Sequence, residues 1–173
     1  MISNRQLFLD HIAQTSDSPM LIEIESANGI YLYDPNGKEY IDLISGVNVS
    51  AIGHNHPVVA DAVKKQVDKY MHLMVYGELI QTPQVKYAEL LASVLPDSLS
   101  NIYFVSTGSE AIEGAIKLAK RFTGKHKIAA FHNAYHGSTH GALSILGNEY
   151  FKDAYRPLLP GVIQLEYNNP SSL

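Results

Sequence analysis

The chain contains no cysteine. Disulfides, thiolate zinc sites and a cysteine nucleophile are excluded together, and the absence fits a reducing, cytoplasmic setting. No apolar run approaches the ~18 residues that a membrane-spanning helix needs. The first fourteen residues mix Arg5, Asp10 and His11 among apolar ones, which is not the pattern of a signal peptide. Positive charge is also in short supply. Thirteen Lys and Arg oppose seventeen Asp and Glu, for a net charge of −4, so the basic face that nucleic-acid binding requires is missing. Lys64, Lys65 and Lys69 do cluster, but their helix also carries Asp61 and Asp68 and reads as a solvated face. Neither a GxGxxG fingerprint nor a GxxxxGK(S/T) loop occurs, which disfavours nucleotides. With no G-x-S-x-G elbow, serine-hydrolase chemistry has no anchor. There is no internal repeat and no low-complexity segment.

What is present is an ordinary globular composition, 46% hydrophobic and 17% charged over 173 residues, enough to bury roughly 70% of the unfolded surface. Residues 4 to 14 read as a short amphipathic helix. Leu21–Glu25, Ile30–Tyr33 and Glu39–Leu43 read as three antiparallel strands, separated by Asn28-Gly29 and by Asp34-Pro35-Asn36-Gly37, both turn-forming. A Gly- and Asn-containing loop runs from Ser45 to His56. Pro57 opens a helix to about Tyr70, and a second helix begins near Pro83 and stops before Pro96.

From Asn101 to Val105 the β-branched and aromatic residues predict a short buried strand. Ile112, Ala115, Ile116, Ala119 and Phe122 then recur at helical spacing to Gly124, with Glu113 and Lys117 predicted as an outward i,i+4 pair. Lys127–Phe131 and Val162–Glu166 read as further strands. Between them, Tyr135 to Gly147 is a polar loop passing into a short apolar turn. Strand–helix–strand order implies a parallel sheet with a right-handed crossover. A parallel sheet needs both faces covered, and the chain reaches Leu173 just after its third such strand. The expectation is an incomplete α/β fold.

Thr107-Gly108-Ser109 lies between strand and helix, where free backbone N–H groups, two hydroxyls and a helix dipole converge. Two readings are open: a phosphate site, or an ordinary turn with Ser109 capping the helix. His132, His136 and His140 recur every four residues, but glycines interrupt the stretch and no carboxylate completes a ligand set. Loop hydrogen bonding is preferred there to a metal, and no metal is expected. Tyr135 is a flat aromatic at a strand exit, open either to stacking on a cofactor ring or to packing on its own loop. Lys152 and the other lysines except Lys127 are assigned to turns or exposed helix faces, and Lys127 opens a strand with no apolar pocket suggested around it, so none reads as a desolvated nucleophile.

These features meet in one family. Phe104 to Ala119, containing Ser106-Thr107-Gly108-Ser109-Glu110-Ala111 and Lys117-Leu118-Ala119, resembles the N-S-G-T-E-A-N-E-A-A-x-K-L-A-R signature of class III pyridoxal-phosphate aminotransferases. Ala134-Tyr135-His136-Gly137 resembles that family's YHG/FHG motif. Gly29 to Asp34 with Gly37 to Asp42 is similar to its β meander, and Gly53-His54-Asn55-His56-Pro57 to its G-H-x-H-P turn. The similarity runs from about residue 15 to the end.

The resemblance implies an α/β, fold-type-I aminotransferase-like architecture that is truncated. Residues 1–56 would be the N-terminal helix and small β meander. Residues 57–173 would be the first, incomplete part of the cofactor-binding large domain, a mainly parallel sheet with flanking helices. It implies pyridoxal 5'-phosphate as cofactor, with Gly108 and Ser109 at its phosphate, Tyr135 on its pyridine ring, and His136 and Gly137 shaping the loop beneath. An amino donor and a 2-oxo acid would be the substrates and a homodimer the assembly, with exposed apolar surface promoting association. The family's cofactor lysine and the aspartate that pairs with the pyridine nitrogen would lie beyond Leu173, so the chain by itself is expected to be inactive and to contain no catalytic residue. The acetylornithine and ornithine branch has H-G-R-T where His136-Gly137-Ser138-Thr139 stands here, and serine cannot grip a carboxylate bidentately. A non-catalytic binding or dimerisation domain, and a fragment of a class III aminomutase, are the alternatives.

Overall fold

Two turns shape the N-terminal unit. Gly29, at φ +57°, starts a two-residue loop between β1 (Ser26–Asn28) and β2 (Tyr31–Tyr33), which pair antiparallel with Asn28 opposite Tyr31. Glycine is suited to that left-handed position because it has no Cβ to clash. The second turn joins β2 to β3 (Glu39–Ile41), with Tyr33 opposite Glu39. There Asp34 accepts the N–H groups of Asn36 at 2.9 Å and Lys38 at 3.0 Å. Those bonds, led by the one from Lys38, hold the Asp34 carboxyl below its ordinary pKa.

The computed structural model describes residues 2–74 and 76–173; Met1 and Val75 lie outside the described residues. It divides into Met1–Ile80 and Gln81–Leu173. The predicted first strand, Leu21–Glu25, is displaced. Leu21 takes φ +53°, Glu25 donates one hydrogen bond to Tyr33 at 2.9 Å, and the paired strand starts at Ser26. The apolar run before it instead lines a cavity of about 500 Å³, facing Asn4, Arg5 and Phe8 of the Asn4–His11 helix. An alternating apolar pattern fits a half-buried strand but does not supply the second strand that a ladder needs, and Ile22 and Ile24 stay exposed.

β3 ends where Asp42 turns its carboxylate onto the chain ahead. Its Oδ1 accepts the N–H groups of Ile44 and Ser45 at 3.0 and 2.8 Å, and its Oδ2 lies 2.7 Å from His54 Nε2. Ser45, Gly46, Val47 and Asn48 then form a left-handed turn with φ between 51° and 65°. Gly53, at φ +81°, lies so close to the first hairpin that a Cβ there would sit 3.0 Å from the Gly29 carbonyl oxygen. His54 and Gly29 exchange backbone hydrogen bonds of 2.7 and 3.0 Å. The G-H-x-H-P segment is therefore a clasp on the meander. The helix after it, Pro57–Val67, ends three residues before the predicted Tyr70.

In the C-terminal unit, Thr82–Val94 and Gly108–Thr123 are helices, the second closed by Gly124 at φ +67°. β4 (Ile128–Phe131) and β5 (Val162–Leu165) pair in parallel, Ile128 opposite Val162 and Phe131 opposite Leu165. The apolar turn between them is a buried helix, His140–Ile145. Ile116, Ala130 and Ile145 form the core, with Ile112, Ile128 and Val162 packed around them. The predicted strand over 101–105 does not form: among the described residues no segment pairs with it. Composition makes a segment fit a sheet, but a ladder needs a second strand. The architecture is α/β, with a small antiparallel sheet and a separate parallel pair.

Asp42 links strand, turn and clasp, and its pKa is lowered, first by the Ser45 N–H and then by His54. The folded carboxylate therefore holds its proton more weakly than the unfolded one. Its stabilisation is complete above the ordinary value of 3.8 and is lost as pH falls through the depressed one. Melting temperatures measured against pH should show wild type above Asp42→Asn near neutrality, with the gap closing in acid below that value.

Candidate functional site

Thr107, Gly108 and Ser109 begin the 16-residue helix Gly108–Thr123. Thr107 is its cap, a correction to the alternative that gave the role to Ser109. Thr107 Oγ1 accepts the Glu110 N–H at 3.2 Å, while Glu110 Oε2 accepts those of Thr107 and Ser106 at 3.2 and 2.8 Å. This is a reciprocal capping box. Ser109 is thereby released from capping. Among the described residues its hydroxyl makes no hydrogen bond, and neither the Gly108 nor the Ser109 N–H has an acceptor. Above Gly108 the space is open, since a Cβ there would meet nothing within 4 Å. Two N–H groups without acceptors, a hydroxyl without a partner and a helix N-terminus thus converge at Gly108 and Ser109, a donor set that suits an anion.

The loop after β4 packs against Ser109. Gly137, buried and at φ +113°, lies so tightly on Ser109 that a Cβ would sit 2.0 Å from its Oγ and 2.8 Å from its Cβ. Four residues on along both segments the contact repeats. A Cβ on Gly141 would sit 2.2 Å from Glu113 Oε2. The two glycines thus mark where loop and helix touch, and Gly108, Ser109, Tyr135, His136 and Gly137 lie on the two segments so joined.

Glu113 was not legible as part of this arrangement. The expected outward pair with Lys117 does not form. Instead, Glu113 Oε1 accepts from Thr139 Oγ1 at 2.7 Å, the Gly141 N–H at 2.8 Å and the Ala142 N–H at 3.1 Å. It caps the His140–Ile145 helix from outside, which explains why that helix has no acid in its own first turn. The Thr139 bond leads in holding the Glu113 pKa below its ordinary value, opposed by partial burial. The matching four-residue spacings, Ser109 to Glu113 and Gly137 to Gly141, were the available signal.

Tyr135 is 66% exposed, its ring meeting Phe151 edge-on at 6.1 Å and 78°. His136 Nε2 is buried with no hydrogen-bond partner. His132, His136 and His140 do not share a helix, because the helix starts at His140, whose Nε2 lies 3.1 Å from the Pro157 carbonyl oxygen. Lys152 lies on a turn, as expected, but corrects the expectation that no lysine is desolvated. It is 5% exposed, donating to the Leu146 carbonyl at 2.7 Å and pairing with Glu149 at 3.1 Å.

Residues 12–173 match the family described as Aminotransferase class-III. Acetylornithine aminotransferase of Archaeoglobus fulgidus is 38% identical over 163 residues, covering 94% of this chain and 42% of that protein. The Bacillus subtilis protein of the same name is 41% identical over 152 residues, covering 87% and 38%. Among solved structures, a transaminase from the marine bacterium Virgibacillus superposes with a TM-score of 0.85 at 25% identity, covering 94% of this chain and 40% of that one. Adenosylmethionine-8-amino-7-oxononanoate aminotransferase from Methanocaldococcus jannaschii gives 0.85 at 28% identity, with the same coverage. The chain spans about two fifths of the length of these four relatives.

Glu113→Gln should destabilise the protein by about 1–2 kcal/mol, the usual scale for weakening hydrogen bonds to a charged acceptor. Gly137→Ala should cost more, because it adds both a clash and an unfavourable φ. Urea unfolding at neutral pH measures both.

Proposed function

Because the chain belongs to the class-III aminotransferase family, we propose that it is an N-terminal portion of an enzyme that moves an amino group from an amine or amino acid to a 2-oxo acid, and that its Gly108–Ser109 turn holds the phosphate of pyridoxal 5'-phosphate. The family is pyridoxal-phosphate-dependent. The observation that carries the residue assignment is the unclaimed set of donors: two N–H groups and a hydroxyl at the start of a long helix, with open space above Gly108.

The residues fit such a group. A phosphate dianion would gain charge-assisted bonds from the Gly108 and Ser109 N–H groups and from Ser109 Oγ, and the positive end of the helix dipole favours it there. Gly137 closes the Ser109 side without adding a side chain. Tyr135 offers a ring face to a planar aromatic, and His136 Nε2, lacking a partner in the loop below, has a hydrogen bond left to make. When bound, pyridoxal phosphate supplies a carbonyl carbon that takes up the amino group and a conjugated ring that delocalises the electron pair released at the substrate carbon. The work of this chain is to bind and orient.

Ser138 stands where the acetylornithine branch has arginine. Its hydroxyl provides no bidentate grip on a substrate carboxylate, so this position does not supply that branch's carboxylate contact. The assembly that goes with this reading is a homodimer. Val59, Val63 and Val67, on one face of the Pro57–Val67 helix, are each about half exposed, a surface suited to burial against a second copy.

The test is equilibrium binding of pyridoxal 5'-phosphate, with inorganic phosphate as competitor. Wild type should bind and release cofactor to phosphate. Ser109→Ala should weaken binding about tenfold, the value of one charge-assisted hydrogen bond, and Ser109→Asp should abolish it. Equal affinity in all three proteins would refute the assignment.

A further inference from the structure

Tyr135 projects from a loop with most of its surface in solvent. An aromatic side chain in that position has rotamers to lose when it stacks on a ligand, and each lost rotamer weakens binding. One ring restrains it. Phe151 meets Tyr135 edge-on, and Tyr150 meets Phe151 from another side at 5.2 Å and 84°. Edge-to-face contact places the positive rim of one ring on the negative face of another, so it restricts orientation as well as position.

Phe151 is itself held. It ends a single 3₁₀ turn, Glu149–Phe151, which Asn148 caps by accepting the Tyr150 N–H at 3.0 Å. The next residue is the buried Lys152. Its ammonium reaches back to the Leu146 carbonyl at the end of the His140–Ile145 helix, where a cation is favoured by the helix dipole. Gly141 to Leu146 are all buried, and Glu113 anchors the other end of the same helix. A solvent-exposed tyrosine is thus tied to the core through Phe151, Lys152 and Leu146.

We propose that Phe151, anchored by Lys152, is a positioning residue that presets the Tyr135 ring for stacking on the cofactor. The inference rests on the pyridoxal-phosphate reading of the site. The contacts that define this role are ring contacts, to Tyr135 and Tyr150, so its effect is specific to ring recognition and leaves phosphate recognition alone.

The experiment uses the full chain labelled with 3-fluorotyrosine, its Tyr135 ¹⁹F resonance assigned by loss in Tyr135→Phe. In Phe151→Leu that resonance should move toward the value of free fluorotyrosine, and Phe151→Tyr, which keeps the ring edge, should restore it. Pyridoxal 5'-phosphate should bind Phe151→Leu about threefold to tenfold more weakly, the worth of an aromatic pair, with the affinity for inorganic phosphate unchanged. Lys152→Met should shift the Tyr135 resonance in the same direction. An unmoved resonance in Phe151→Leu, or an equal loss of phosphate and cofactor affinity, would overturn the proposal. If wild type bound no pyridoxal phosphate, the cofactor reading would fail by itself, and the fluorine shift would still decide whether Phe151 orients Tyr135.

Discussion

One carboxylate oxygen, Glu113 Oε1, joins the two segments on which the candidate site is built. It accepts three hydrogen bonds from the Thr139–Ala142 stretch, and this fixes the loop after β4 against the helix that begins at Gly108. The arrangement is possible because glycine occupies both points of closest approach. A side chain at Gly137 would strike Ser109, and one at Gly141 would strike Glu113 itself. Without that register, the unpaired N–H groups at Gly108 and Ser109 would face solvent, as at many helix starts. With it, the loop that carries Tyr135 and His136 lies against Ser109.

The division of labour at the helix start follows from the same economy of groups. A helix N-terminus leaves several N–H groups without intrahelical partners. Here Thr107 and Glu110 satisfy their own neighbourhood reciprocally and take nothing from Gly108 or Ser109. A threonine and a glutamate thus stabilise the helix while the next two residues stay available. The N-terminal unit uses a carboxylate in a comparable way: Asp42 ends a strand, opens a left-handed turn and meets His54.

Much of this was legible in the residues. Gly124, Pro57 and the turn sequences bound their elements because each changes which backbone angles are accessible. β4 and β5 lie within one residue of their expected ends for the same reason, being short apolar runs between punctuating loops. Asn101–Val105 and Leu21–Glu25 were misread as paired strands because pairing belongs to two segments, while composition reports on one. Glu113 was hidden since an acid four residues before a lysine fits an outward ion pair as well as it fits a cap for another helix. Lys152 was hidden because nothing local separates a lysine that buries its ammonium on a carbonyl from one in water. Gly108, Ser109, Tyr135 and His136 stood out through the order of several motifs rather than any one of them.

The central claim is that the Gly108 and Ser109 N–H groups are the phosphate donors. Amide NMR tests it most directly, by titrating ¹⁵N-labelled protein with pyridoxal 5'-phosphate and, separately, with pyridoxal lacking the phosphate. The account predicts that the Gly108 and Ser109 amide protons move downfield with the phosphorylated ligand and stay in place with the other. Unmoved amides at both positions, or the same shift with either ligand, would contradict it.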